Sequence, residues 1–116
     1  MIVILKMKYV FDLDGTLCTN THGNYSEAIP YTDRIYHVNE LYKKANEIRI
    51  YTARGMNTFN NDIKKVYEVY YEFTKKQLDT WGVLYTQLIL GKPPGDFYID
   101  DKGVKDEDYF RANICS

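Results

Sequence analysis

Lys8-Tyr9-Val10-Phe11-Asp12-Leu13-Asp14-Gly15 decides the reading of the whole chain. A β-branched and aromatic run stops abruptly on two carboxylates and a glycine, which reads as a short buried strand ending in a tight turn. Outward from it, the polar, turn-rich residues 18–31 read as a loop or small flap. From Thr32 to Glu47, Ile35, Val38, Leu41, Tyr42 and Ala45 recur at spacings of three and four, predicting an amphipathic helix capped by Thr32 or Asp33. Ile48-Arg49-Ile50-Tyr51 reads as a second strand ending at Thr52. A longer helix is expected over Asn61–Trp81, with Ile63, Val66, Tyr67, Tyr70, Phe73, Leu78 and Trp81 as its buried stripe and Gly82 as its stop. Val83–Leu90 carries a third strand, Phe97-Tyr98-Ile99 a short fourth one running into Asp100-Asp101, and Asp106–Ala112 a closing helix. Alternating strands and helices predict an α/β fold, a Rossmann-like parallel sheet flanked by helices.

Length and composition agree. The 116 residues fit one domain, and 45% hydrophobic with 27% charged residues argues against disorder. Fifteen basic and 16 acidic side chains leave a net charge of −1, so nucleic acid is not favoured as a partner. No run of about 18 apolar residues exists to span a membrane. Met1–Leu5 is too short for a secretory core and no small-residue cleavage site follows, so a cytoplasmic protein is expected. With Met7 just ahead of the first strand, residues 1–6 read as an N-terminal extension. Cys18 and Cys115 imply no disulfide framework and are expected as thiols. The 12 tyrosines suit cores and rims alike and decide nothing about function.

In a parallel sheet, ligands bind outside the carboxyl ends of the strands. Those ends carry Asp12 and Asp14, then Thr52, then Lys92, then Asp100 and Asp101. Four carboxylates on one rim repel one another unless a cation neutralises them, and oxygen-only ligands suit Mg²⁺. A lysine there adds a point charge for a phosphate. The residues alone therefore point to a Mg²⁺-dependent site for phosphate chemistry.

Phe11-Asp12-Leu13-Asp14-Gly15-Thr16-Leu17, Tyr51-Thr52, Gly91-Lys92-Pro93 and Tyr98-Ile99-Asp100-Asp101 resemble, in order, the four motifs of the haloacid dehalogenase (HAD) superfamily. The resemblance covers about Met7 to Val104. Thr52-Ala53-Arg54-Gly55, the stretch Thr74–Val83 and Gly91-Lys92-Pro93 look most like the small capsule-biosynthesis phosphatases of that superfamily. The resemblance implies that Asp12 is the nucleophile and Asp14 the general acid and base. It further implies that Thr52 and its neighbours Ala53 and Arg54 meet the substrate, and that Lys92 neutralises the phosphoryl group. Asp12, Asp14, Asp100 and Asp101 would hold Mg²⁺. An aspartate at position 14 favours a phosphatase over a dehalogenase or an ion pump. The expected substrate class is a sugar phosphate of surface-polysaccharide synthesis. A phosphatase of nucleotides, nucleic-acid ends or phosphoprotein, or a catalytically idle binding module, are the alternatives.

Four assignments stay open on sequence alone. Lys102 rivals Lys92. Asp101 either binds metal or caps a turn, and Arg54 either binds substrate or closes an ion pair. His22, in the flap, either touches substrate or, like His37, is a bystander. Thr52 follows Asp12 by forty positions and Lys92 follows Thr52 by another forty, which leaves no length for a cap domain. An uncapped site suits a large or extended substrate, or is covered by a second copy of the chain.

Overall fold

A computed structural model describes residues 6–114. The expected extension over residues 1–6 falls almost wholly outside the described residues, as does Cys115. Strands β1 (Lys8–Phe11), β2 (Glu47–Thr52) and β3 (Gln87–Leu90) form one parallel sheet in the order β1-β2-β3. Phe11 lies opposite Ile50, and Thr52 opposite Leu90. Helices α1 (Thr32–Lys43) and α2 (Ile63–Thr80) supply the two parallel crossovers, and α3 (Asp106–Ile114) closes the chain. No helix among the described residues is long and apolar enough to cross a membrane.

The middle strand alternates strictly: Ile48, Ile50 and Thr52 are buried, whereas Glu47, Arg49 and Tyr51 are half-buried. With Leu13, Leu17, Cys18, Ile35, Val38, Val66 and Leu78 these side chains build the core. Phe11 joins it by stacking on Phe110 of α3, their ring centroids 6.1 Å apart. The expectation of a fully buried first strand is corrected, because β1 is an edge strand whose Lys8 and Val10 face solvent.

The expected fourth strand does not form. Phe97-Tyr98-Ile99 lies in an irregular stretch, exposed throughout from Pro93 to Lys105, where the Tyr98 hydroxyl donates to the Pro93 carbonyl at 2.8 Å. The third strand is shorter than expected, since Val83–Thr86 is a connection into β3.

Helix ends differ from expectation for local reasons. Tyr31, not Thr32 or Asp33, caps α1 without a side-chain cap bond, while the Asp33 carboxylate accepts from the Arg34 amide at 2.9 Å within the first turn. The helix stops at Lys43 rather than reaching Glu47, because Ala45 turns left-handed at φ 70°. The amides of Ala45 and Asn46 then close back on the carbonyls of Tyr42 and Leu41. In α2 the Asp62 carboxylate accepts from the Lys65 amide and sets the start. Gly82, at φ 72°, ends it with the same paired closure onto Asp79 and, through Val83, Leu78. The buried stripe of α2 is narrower than its spacing suggests: Val66, Thr74 and Leu78 are buried, whereas Ile63, Tyr67 and Phe73 stay exposed.

Candidate active site

Parallel strands open their carboxyl ends on one rim, and three of the predicted segments meet there. Asp12 follows β1 directly. Behind it, Leu13 is buried, while Gly15 at φ 87° and the bond from the Gly15 amide to the Cys18 carbonyl fold the chain into a tight loop. That loop returns the Thr16 hydroxyl to Asp12 Oδ2 at 3.0 Å.

Lys92 reaches the same carboxylate from the far end of the chain. Its amide donates to the Thr52 carbonyl at 3.1 Å, carrying the β2–β3 ladder one step beyond the strand. Gly91 turns left-handed at φ 94°, and the ammonium then lies 3.3 Å from Asp12 Oδ1 and 4.4 Å from the centre of the Tyr98 ring. Asp12 keeps 34% of its side chain exposed, so it is oriented by two donors yet accessible. Lys102, the rival lysine, donates only its backbone amide here, to Asp100 Oδ1 at 2.7 Å.

Asp14 is held by Arg54. The guanidinium Nε lies 2.9 Å from Asp14 Oδ2 and Nη2 lies 2.9 Å from Oδ1, a two-pronged pair. Arg54 is fully buried, which a cation tolerates only when paired and hydrogen-bonded. Nη1 donates to the Thr74 hydroxyl at 3.3 Å, and the Tyr25 ring lies 4.7 Å beneath the plane. Thr52 is buried beside it, its hydroxyl accepting from the Arg54 amide at 3.2 Å, and Ala53 between them is half-buried. The Cys18 thiol sits against Asp14 Oδ1 at 3.5 Å; burial first, then that carboxylate, pushes it up to about 12.

The flap is a closed loop. Its base is pinned by the bonds from the Thr19 amide to the Ile29 carbonyl and from the Tyr31 amide to the Leu17 carbonyl, and a short 3-10 turn occupies Tyr25–Glu27. His22 lies exposed in it, whereas His37 pairs with the Tyr109 hydroxyl at 2.8 Å between α1 and α3.

Asp100 and Asp101 do not join the rim. Both are exposed on the irregular stretch, and the Lys102 amide, then Asp101, holds the Asp100 carboxyl below its ordinary range. Among the described residues no three acidic, histidine or cysteine side chains come together as a cage for an ion. In kind, Asp12 and Asp14 fit a hard divalent ion that keeps most of its waters, since both offer only oxygen.

Thr16, Tyr25, Thr74 and Gln77 were not singled out one by one from the sequence. Thr16 carries a signal, since a hydroxyl just after Asp-x-Asp-Gly can fold back on the first carboxylate. Thr74 and Gln77 carry one too, three apart on a helix and so on one face. Tyr25 carries none.

Fold and site together define an α/β protein with two carboxylates, each paired to a cation, at the carboxyl rim of a parallel sheet. The chain superposes on the crystal structure of a structural-genomics target from Vibrio cholerae with a TM-score of 0.82 and 32% identity, covering 89% of this chain and 86% of that one. It belongs to the family of that protein. No protein-family model and no curated protein matches it.

Proposed function

We propose that the protein is a cap-less HAD-like phosphatase, Mg²⁺-dependent, that hydrolyses a phosphate monoester through an aspartyl-phosphate. One observation carries this reading above the others: Lys92 and Thr16 converge on Asp12, whose carboxylate stays accessible. A carboxylate approaching a phosphate dianion meets like charge, so a fixed ammonium beside it lowers the barrier where charge accumulates.

Asp12 attacks phosphorus and the bond to the leaving alkoxide breaks, the alkoxide taking its proton from Asp14. Asp14 then accepts a proton from water, whose oxygen attacks phosphorus and displaces the Asp12 carboxylate. Inorganic phosphate leaves and both aspartates are restored. Lys92 offsets charge in both steps. Asp12 and Asp14, the two carboxylates at the rim, are the residues that would hold Mg²⁺, which when bound would supply further neutralisation of the phosphoryl oxygens, whereas Asp100 and Asp101 lie off the rim.

The accessible rim, flanked by the flap and by the Tyr98 ring against Lys92, suits a large or extended substrate, and the motif resemblance favours a sugar phosphate of surface-polysaccharide synthesis. A second copy of the chain covering the rim is compatible with the same chemistry. Hydrolysis of p-nitrophenyl phosphate with and without Mg²⁺ tests the reaction class. Turnover that needs Mg²⁺ and vanishes in Asp12→Asn supports it; a folded protein that turns over no phosphate monoester is the idle module instead. A panel of phosphorylated sugars, nucleotides, DNA ends and peptides tests the substrate class, and a strong preference for DNA ends overturns the sugar reading.

A further inference from the structure

The expectation that Arg54 meets substrate sits poorly with its surroundings. Its side chain is fully buried, both prongs of its fork are taken by Asp14, and its third nitrogen is taken by Thr74. A phosphate could reach it only by displacing Asp14.

We propose that Arg54 is instead a positioning residue that acts through Asp14, and that Tyr25 of the flap and Thr74 and Gln77 of α2 set it in place. This role rests on the phosphatase reading. The two-pronged bond fixes the plane of the Asp14 carboxylate; Oδ1 also accepts from the Cys18 thiol at 3.5 Å, and Oδ2 keeps a second lone pair for a proton in transit. Asp14 is 18% exposed, so it bridges the buried guanidinium and the open rim.

Tyr25 ties three parts of the molecule to that guanidinium. Its ring lies under Arg54, its hydroxyl accepts from the Gly55 amide at 2.9 Å, and its carbonyl accepts from Gln77 Nε2 at 2.7 Å. Thr74 and Gln77 share one face of α2, one meeting Arg54 and the other Tyr25. The stretch Thr74–Val83, which stood out in the sequence without a chemical task, thereby acquires one. Flap position and the orientation of the acid–base group are coupled through a single cation.

The test is steady-state kinetics of Arg54→Lys, Arg54→Met, Tyr25→Leu and Gln77→Leu on two substrates, p-nitrophenyl phosphate and an alkyl phosphate. An alkyl alcohol leaves poorly and needs the proton from Asp14; p-nitrophenol does not. The expected result is a kcat about tenfold or more lower in the Arg54 variants with KM within about twofold. The loss is larger on the alkyl phosphate, and Arg54→Met adds nothing to Asp14→Asn. A raised KM with kcat kept makes Arg54 a substrate contact and overturns the proposal. Equal losses on both substrates that add to Asp14→Asn make it purely structural and overturn it too. Where Arg54 variants fail to fold, Gln77→Leu and Tyr25→Leu carry the same comparison. A wild-type protein inactive on every phosphate monoester removes the phosphatase reading and this role together, whereas an active one with the wrong Arg54 pattern removes this role alone.

Discussion

The Lys92 ammonium lies 3.3 Å from Asp12 Oδ1 across eighty positions of sequence. The approach depends on the parallel ladder: the Lys92 amide bonds the Thr52 carbonyl, so the end of β3 is registered against β2 and, through β2, against β1. In the proposed reaction a lysine placed this way would offset charge that develops at Asp12.

Lys92→Met is expected to lower kcat on p-nitrophenyl phosphate by about 10²–10³, the usual cost of deleting one preorganised stabilising group. Thermal unfolding of the same variant shifts little, because the pair is partly exposed and screened. Kinetics alongside a melting curve checks both halves.

Chelation of divalent ions is expected to abolish turnover, and added Mg²⁺ to restore it. Asp12→Asn is expected to weaken Mg²⁺ binding, measured by titration calorimetry, and Asp100→Asn and Asp101→Asn, which lie off the rim, to leave it unchanged. Weakened affinity in either of the last two would contradict that expectation.

Ala45 carries a side chain where the backbone is left-handed. It is exposed, so no packing is lost on removing its Cβ. Ala45→Gly is expected to stabilise the fold by about 1 kcal/mol, read from urea unfolding.

His37 is held below its ordinary range, by burial first and then by Lys44. A group easier to protonate when unfolded takes up its proton in that state first. Its contribution is therefore fully present above about pH 6.5, its unfolded value, and fades as pH falls through that range. Tyr109, pushed up to about 12 by burial, stays protonated and can donate to the neutral ring. Melting temperature between pH 8 and pH 5 is expected to fall less in His37→Gln than in the wild type.

Sequence made the sheet and most of the rim legible because its signals are local. The run Lys8–Phe11 stops at Asp12, the alternation of β2 needs no partner to be read, and Asp62 and Gly82 bracket α2 by short-range bonding. Asp12 and Lys92 follow from strand ends once the sheet is parallel. Phe97-Tyr98-Ile99 has the composition of a strand, yet a strand also needs an edge to pair with, and composition does not specify one. Arg54 stays open between substrate contact and ion pair in the sequence for a related reason. Nothing beside it in the chain indicates burial; that comes from Thr74 and Tyr25, some twenty and thirty positions away. The end of α1 was missed because alanine is a rare residue in a left-handed helix stop.

The central claim is that Asp12 carries the phosphoryl group. Asp14→Asn, slowed in releasing it, should be mixed with p-nitrophenyl phosphate and Mg²⁺, quenched in acid and mapped by peptide mass spectrometry. A hydroxylamine-labile phosphoryl group on Asp12, absent from Asp12→Asn, is the predicted result. Full turnover by Asp12→Asn, or phosphoryl label on a different residue, would contradict it.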